Sequence, residues 1–196
     1  MPLTILLYPG PADRRYADPI ALPVFSDQRP PRGVAGWVDW RRGGLISQWL
    51  EEHPWRESDL HLIHHPAKAF PTLLLRPSGQ FEALSAQRII DIIADLIAAT
   101  ARAGLTRFSL AVADLFPEDT ALKDFAEDIF EGLTKGLAGP WGDKVEMIRL
   151  FWRESDAENL VRELRRFRHH LEQPGKWEVM LETDLPEEKS SKTPVG

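Results

Sequence analysis

The chain has 196 residues and a formal net charge of -6, and 43% of its residues are hydrophobic and 28% charged. This length suffices for one domain with a substantial core, and the composition is ordinary for a soluble globular protein. The acidic balance argues against broad electrostatic attraction to nucleic acid or to anionic membranes. Because the sequence contains no cysteine, disulfides, thiolate catalysis and cysteine zinc sites are excluded.

The sequence shows no segment that predicts a membrane or secretory destination. Its apolar opening, residues 3–7, is too short for the apolar part of a signal peptide and lacks a basic lead-in. No apolar run approaches the ~20 residues that a membrane helix needs. We therefore expect a cytoplasmic protein without membrane contacts.

The first half of the chain predicts two strands, a stiff loop and a helix rich in tryptophan. The runs 3–8 and 20–25 are apolar strands, and Pro23 predicts an edge position or a bulge because proline cannot donate to a ladder. The loop 26–33 is polar and is stiffened by two prolines. The helix predicted over 34–51 contains two adjacent glycines, which indicate a kink or a close approach to another element.

In the rest of the chain, predicted strands and helices alternate, which implies parallel neighbours with right-handed crossovers. These elements are strands over 60–63 and 72–75, a helix over 86–103 capped by Ser85, a strand over 106–113, a helix from 117 or 118, a strand over 144–152, a helix over 156–171 and an edge strand over 177–182. The pair within 60–75 adds an antiparallel component. We expect one three-layer α/β/α sandwich with a mixed sheet over residues 1–183, and a disordered tail over 184–196.

Five segments follow one another in an order and pattern found in a known family. They are ALPVF at 21–25, GGLISQWL at 43–50, PTLLLRPSG at 71–79, QRIIDIIADLIAATARAG at 87–104 and FSLAVADL at 108–115. The stretch 20–171 that contains them resembles the N-terminal domain of the leucyl (cytosol) aminopeptidase family. The resemblance implies a macro-domain-like fold, a mixed sheet between helices.

The same resemblance implies that this chain is not a peptidase. In the family, catalysis belongs to a separate C-terminal domain with two metal ions, whose Asn-Thr-Asp-Ala-Glu-Gly-Arg run is absent here. No catalytic residue is therefore carried over, and we expect neither a metal nor a cofactor. Macro domains that bind ADP-ribose use a glycine-rich diphosphate loop, and the nearest approach here is Gly33-Val34-Ala35-Gly36.

The loop before the tryptophan helix is a candidate site for a small anionic ligand. Arg29 and Arg32 flank two prolines at the predicted helix start, where guanidinium groups and free backbone amides could hold a phosphate or carboxylate. In the structural alternative, Asp27 caps the loop and the arginines pair with Asp39 or with solvent. Surface arginines are commonly solvated, which favours this alternative.

The helix itself offers a candidate partner site. Asp39, Trp40 and Arg41 could form a recognition patch on an aromatic platform. Trp37 and Trp40 lie on one helical stripe, and such tryptophans more often pack in a core or an interface. An exposed tryptophan face would instead indicate a protein partner or self-association.

The remaining polar clusters favour structural explanations. On a strand, His64 points opposite to His61 and His65, so these residues do not form a zinc set. His169 and His170 end a predicted helix, where positive charge suits the dipole. The arginines of that helix suit the dipole in the same way, which argues against a nucleic-acid site. They are Arg162, Arg165, Arg166 and Arg168.

No nucleophile elbow, P-loop, zinc-protease motif or dinucleotide fingerprint occurs in the sequence. We therefore expect a non-catalytic module for protein interaction or regulation, and the alternative is a macro-like binder of a small anionic or nucleotide-type ligand at the 26–36 loop. The candidate residues are Asp27, Arg29, Arg32, Gly33, Gly36, Trp37, Trp40 and Arg41.

Overall fold

A computed structural model describes residues 3–9, 18–53, 56, 59–64, 71–117, 122–153, 157–168 and 177–181. The strands are β1 (Leu3–Pro9), β2 (Ile20–Val24), β3 (His61–Ile63), β4 (Leu73–Pro77), β5 (Arg107–Leu110), β6 (Met147–Trp152) and β7 (Trp177–Leu181). The helices are α1 (Gly33–Arg41), α2 (Leu45–Glu52), α3 (Ala86–Arg102), α4 (Leu122–Leu137) and α5 (Ala157–Arg168). The predicted tail over 184–196 lies outside the described residues.

The described strands form one mixed sheet of seven strands in the order β3-β4-β2-β5-β6-β1-β7. β3 runs antiparallel to β4, and the other neighbours are parallel. The antiparallel pair, the interior position of β6 and the edge position of β7 confirm the sequence predictions. None of the helices described is long and apolar enough to cross a membrane.

Apolar cores on both faces of the sheet give the three layers that the sequence predicts. On one face, α3, α4 and α5 pack against the sheet through residues such as Ile93, Phe125 and Leu160. On the other face, α1 and α2 contribute Val38 and Ile46. Burial of these side chains is the main stabilising term for both layers. Ser85 caps α3 as predicted, because its hydroxyl oxygen accepts from Arg88 N at 3.3 Å.

Pro23 lies in an interior strand, so the edge or bulge predicted for it is wrong. β2 keeps an uninterrupted register with β4 but pairs with β5 only at Ile20 and Ala21. The carbonyl of Ala21 faces β5, where it accepts from Ala111 N at 3.2 Å, and Pro23 has its nitrogen on the same side. At that level the chain after β5 has turned into a 3-10 helix, Val112–Leu115, so no ladder partner is lost. This turn also makes β5 shorter than the predicted strand over 106–113.

The single helix predicted over 34–51 is in fact two helices. α1 ends at Arg41 and α2 begins at Leu45. Gly43 and Gly44, which lie between them, have φ values of 64° and 84°. Residues other than glycine rarely adopt this left-handed backbone conformation, and a right-handed helix cannot continue through it. The two glycines therefore end α1 and let the chain change direction before α2 begins.

Candidate functional site

The first turn of α1 is held by a carboxylate from a distant loop. Asp114, in the 3-10 helix after β5, accepts hydrogen bonds from Val34 N at 2.9 Å on Oδ1 and from Ala35 N at 3.1 Å on Oδ2. Helix N-termini leave backbone N–H groups without intrahelical partners, and these groups attract anions. Two of the amides that the sequence offered to an anionic ligand are therefore already used by the protein's own carboxylate.

Two predicted site residues, Gly33 and Gly36, allow chain segments to approach closely. A Cβ atom on Gly33 would lie 2.1 Å from Oδ1 of Asp114, and the φ of Gly33 is 57°. A Cβ atom on Gly36 would lie 2.4 Å from the carbonyl oxygen of Pro31. Both glycines thus let the helix pack against its own loop and against Asp114.

Asp114 has an unusual proton affinity for a carboxylate at a helix N-terminus. Burial raises its pKa from the ordinary value of 3.8 to about 7, although the hydrogen bonds from Val34 and Ala35 act to lower it. The carboxylate therefore changes its charge near neutral pH. The role of Asp114 could not be predicted from the sequence, because the amides that donate to it lie 80 and 79 positions away.

Asp27 fixes the predicted ligand loop to the rest of the fold. Its carboxylate accepts from Phe81 N at 2.8 Å and from Glu82 N at 3.1 Å. Slight burial opposes ionisation, but these hydrogen bonds, with the nearby charge of Arg32, lower the pKa of Asp27 below its ordinary value. The predicted capping role of Asp27 is confirmed, since the loop is tied to the 3-10 helix Phe81–Ala83.

Asp39 connects α1 to α2, so it is not an exposed recognition residue. It is buried, and its Oδ1 accepts from Ile46 N at 2.6 Å and from Ser47 N at 3.0 Å. The Ser47 hydroxyl donates to Oδ2 at 2.5 Å. Gly44 at the N-cap of α2 has no side chain for capping, and Asp39 takes over that task. Because Asp39 belongs to this cap, two predictions for it are wrong. It does not form part of a recognition patch, and it does not pair with the loop arginines.

Trp37 and Trp40 are exposed, so they do not pack in the core, and of the two arrangements that the sequence left open the structure has the exposed face. The two residues are 42% and 75% exposed, and their rings meet edge to face with centroids 5.8 Å apart. The Arg41 guanidinium lies over the Trp37 ring, 5.3 Å from its centroid. α1 buries Val34 and Val38, so its other side faces outward.

We call the surface formed by Pro30, Pro31, Trp37, Trp40 and Arg41 the tryptophan patch. It borders a shallow, open cleft of about 770 Å³ whose lining is mainly apolar. Arg32, Gly43 and Gly44 also line this cleft. The structure thus brings most of the predicted residues to one surface, with Arg29 exposed on the adjoining loop.

A second cleft, of about 640 Å³, shares Arg32, Gly33 and Trp37 with the first. We call it the strand-end cleft, because residues following β2, β5 and β6 line it. In open α/β sheets, ligands bind outside the carboxyl ends of the strands. Its lining includes Gln28, Arg32, Asp114, Trp152 and Arg153. The indole nitrogen of Trp152 is buried without a hydrogen-bond partner among the residues described.

The described histidines lie at the sheet edge. The His61 ring lies 4.3 Å from the Trp49 ring between centroids, and His64 Nδ1 is 3.0 Å from the Thr72 hydroxyl. Burial, with the nearby His53, lowers the pKa of His61. No group of three or more histidine, aspartate or glutamate side chains in the described ranges could hold a metal ion. His65, His169 and His170 lie outside those ranges.

Comparison with known proteins shows the fold. No protein-family model and no curated protein sequence matches the chain. A solved structure of a tomato leucine aminopeptidase mutant is similar over 85% of this chain, with a TM-score of 0.63 and 12% identity, and the chain spans 36% of that protein. The macrodomain of Thermus aquaticus DarG is similar over 76% of this chain and 99% of its own length, with a TM-score of 0.54 and 10% identity. The chain therefore has a macrodomain-like α/β fold that part of a leucine aminopeptidase shares.

The Asp114 cap predicts a pH-dependent stability. The pKa of Asp114 is about 7 in the folded chain and 3.8 ordinarily. Between pH 3.8 and pH 7, Asp114 is therefore protonated to a greater extent in the folded state than in the unfolded state. The stabilising contribution is thus fully present below pH 4 and is lost as the pH rises through 7. As the pH rises from 5 to 8, the free energy of unfolding measured with urea should fall more steeply in the wild type than in Asp114→Asn. Parallel pH profiles of the two proteins would contradict it.

Proposed function

We propose that this chain is a non-catalytic interaction module that binds a partner protein, or a second copy of itself, through the tryptophan patch. The observation that carries the proposal is the exposure of Trp40, 75% of whose side chain is accessible. Single exposed apolar residues are common on protein surfaces. Here the exposed tryptophan has a second one beside it and an arginine stacked on that neighbour, and tryptophan and arginine are enriched in the energetic centres of interfaces.

Burial of Trp40 alone would contribute substantially to association. A tryptophan buries roughly 150–250 Å², and at about 25 cal/mol per Å² the exposed three quarters of Trp40 represent on the order of 3–5 kcal/mol before the costs of association are subtracted. The mainly apolar cleft beside the ring provides a surface against which a partner side chain can exclude water. The patch thus has the aromatic, arginine-containing composition that is typical of an interface centre.

The non-catalytic part of the proposal rests on the sequence. The chain resembles the N-terminal domain of a family whose catalytic residues belong to another domain, and it lacks the run of metal ligands of that domain. It spans 36% of the aminopeptidase to which it is similar. A shared fold does not carry a function with it, and the missing metal ligands, not the likeness, are what favour a non-catalytic chain.

A second candidate function is binding of a small anionic or nucleotide-type ligand, and the strand-end cleft favours it. Arg32 and Arg153 line this cleft, and the buried indole nitrogen of Trp152 has no partner among the described residues. The first turn of α1 is less suitable for a phosphate than the sequence implied, because Asp114 accepts from two of its amides. An anion would therefore have to bind the arginines, or to displace Asp114.

Replacement of Trp40 by alanine should weaken association at least about tenfold, because tryptophans at interface centres typically contribute that much or more. The free energy of unfolding should change by less than about 1 kcal/mol, since an exposed side chain adds little to the core. Sedimentation velocity reports self-association, and quantitative affinity capture reports partners. Trp141→Ala is the matched control, because Trp141 is also exposed, at 40%, but lies outside the patch. Equal association of both variants would refute the role of the patch.

The purified chain should not hydrolyse leucine p-nitroanilide in the presence of manganese or zinc. The physical reason is that the metal ligands of the family's catalytic domain are absent from the sequence. Absorbance of released p-nitroaniline measures the reaction. Turnover that follows the protein through purification would overturn the non-catalytic proposal.

The ligand-binding candidate makes a separate prediction. If the strand-end cleft holds an anion, calorimetric titration with ADP-ribose should release heat, and Arg32→Ala should lower the affinity by roughly tenfold, as expected for a lost charged hydrogen bond. Arg102→Ala serves as a control, since Arg102 is exposed at the end of α3, away from the loop. A flat titration with the wild-type chain would count against this candidate.

A further inference from the structure

We propose that the tryptophan patch binds an extended, acidic, proline-containing segment of a partner protein. The inference rests on the proposed function and names the chemistry of its partner. It follows from the shape of the cleft, from the hydrogen-bond donors at its rim and from its charge.

The shape of the site favours a polyproline II segment. Addition of a strand requires a free sheet edge, and the edges of the described sheet are β3 and β7, whereas the patch lies on α1. A partner helix needs a groove several turns long, but α1 has nine residues and ends at the break before α2. Proline-rich segments bind short grooves lined by aromatic rings. The two perpendicular rings of Trp37 and Trp40 beside a cleft with Gly43 and Gly44 form such a groove.

Hydrogen-bond donors at the rim match the needs of such a segment. A polyproline II helix has no internal hydrogen bonds, so its carbonyl groups are free to accept. The indole N–H groups of Trp37 and Trp40 donate to no residue in the described part of the chain. Each can therefore donate to a peptide carbonyl while its ring packs against a proline. This dual use of indole is typical of tryptophan in interfaces.

The local charge selects an acidic segment. The stretch 26–42 contains four arginines and two aspartates, on a chain with a net charge of -6. Counted by formal charge, four arginines less two aspartates leave this stretch with an excess of two positive side chains. Arg32 is exposed on the rim of the cleft. An acidic peptide meets complementary charge here, whereas a basic peptide meets repulsion.

The test uses three synthetic peptides and the whole chain. The probe is Glu-Glu-Pro-Pro-Leu-Pro-Pro-Glu-Glu, the charge control replaces its glutamates by lysine, and the shape control replaces its prolines by glycine. Calorimetry and tryptophan fluorescence measure the affinity. We expect the probe to bind at least about tenfold more tightly than either control. A tenfold change in affinity corresponds to about 1.4 kcal/mol. Binding should weaken as salt rises from about 0.1 M to 1 M, because the Debye length shrinks from about 10 Å to about 3 Å.

Variants locate the binding. Trp40→Ala should lower the affinity for the probe at least about tenfold. Arg32→Glu should reverse the preference between the acidic and basic peptides, while Trp141→Ala should bind like the wild type. Equal binding of the lysine peptide overturns the charge argument, and equal binding of the glycine peptide overturns the shape argument. If no peptide binds but Trp40→Ala still reduces association of the full chain, this inference falls and the proposed function stands. If Trp40→Ala changes neither the binding of the peptide nor the association of the full chain, this inference and the proposed function are both wrong.

Discussion

The contact between Asp114 and the first turn of α1 decides how this side of the molecule is arranged. It joins the segment after β5 to the segment after β2, and it does so at the edge of the sheet where parallel strands end. The lack of a Cβ atom at Gly33 makes the contact sterically feasible. With the helix held there, one side of α1 covers the sheet and the opposite side presents the tryptophans. The same contact keeps the helix amides from an external phosphate, the use that such amides often have.

Most of the scaffold could be predicted because its signals are local. The periodicity of α3, its serine cap and the apolar runs of β1, β4 and β6 each depend on residues within one element. Alternation of these elements was enough to predict parallel pairing and a helical layer on each face. The order of the segments also led to the resemblance whose fold the solved structures share.

What could not be predicted depends on contacts between distant residues. Asp114 is an ordinary aspartate in sequence, and only the folded chain brings it to Val34. The sequence predicts an edge position or a bulge at Pro23, because the early end of β5 cannot be read from β2 alone. The exposure of Trp37 and Trp40 follows from the packing of α1, which buries Val34 and Val38 so that its other side faces outward. The structure therefore brings most of the candidate residues to one surface, whereas the use of the α1 amides by Asp114 could not be read from the sequence.

The three aspartates that tether the patch have a consequence for the energetics of recognition. Asp27 holds the loop before α1, Asp114 holds the start of α1, and Asp39 joins the end of α1 to α2. Each tether removes conformational freedom during folding, and this freedom no longer has to be lost when a partner arrives. A surface ordered in advance binds with a smaller entropic penalty than a mobile loop of the same composition. For the proposed partner binding, the side chains that hold the patch in place would thus add to the affinity.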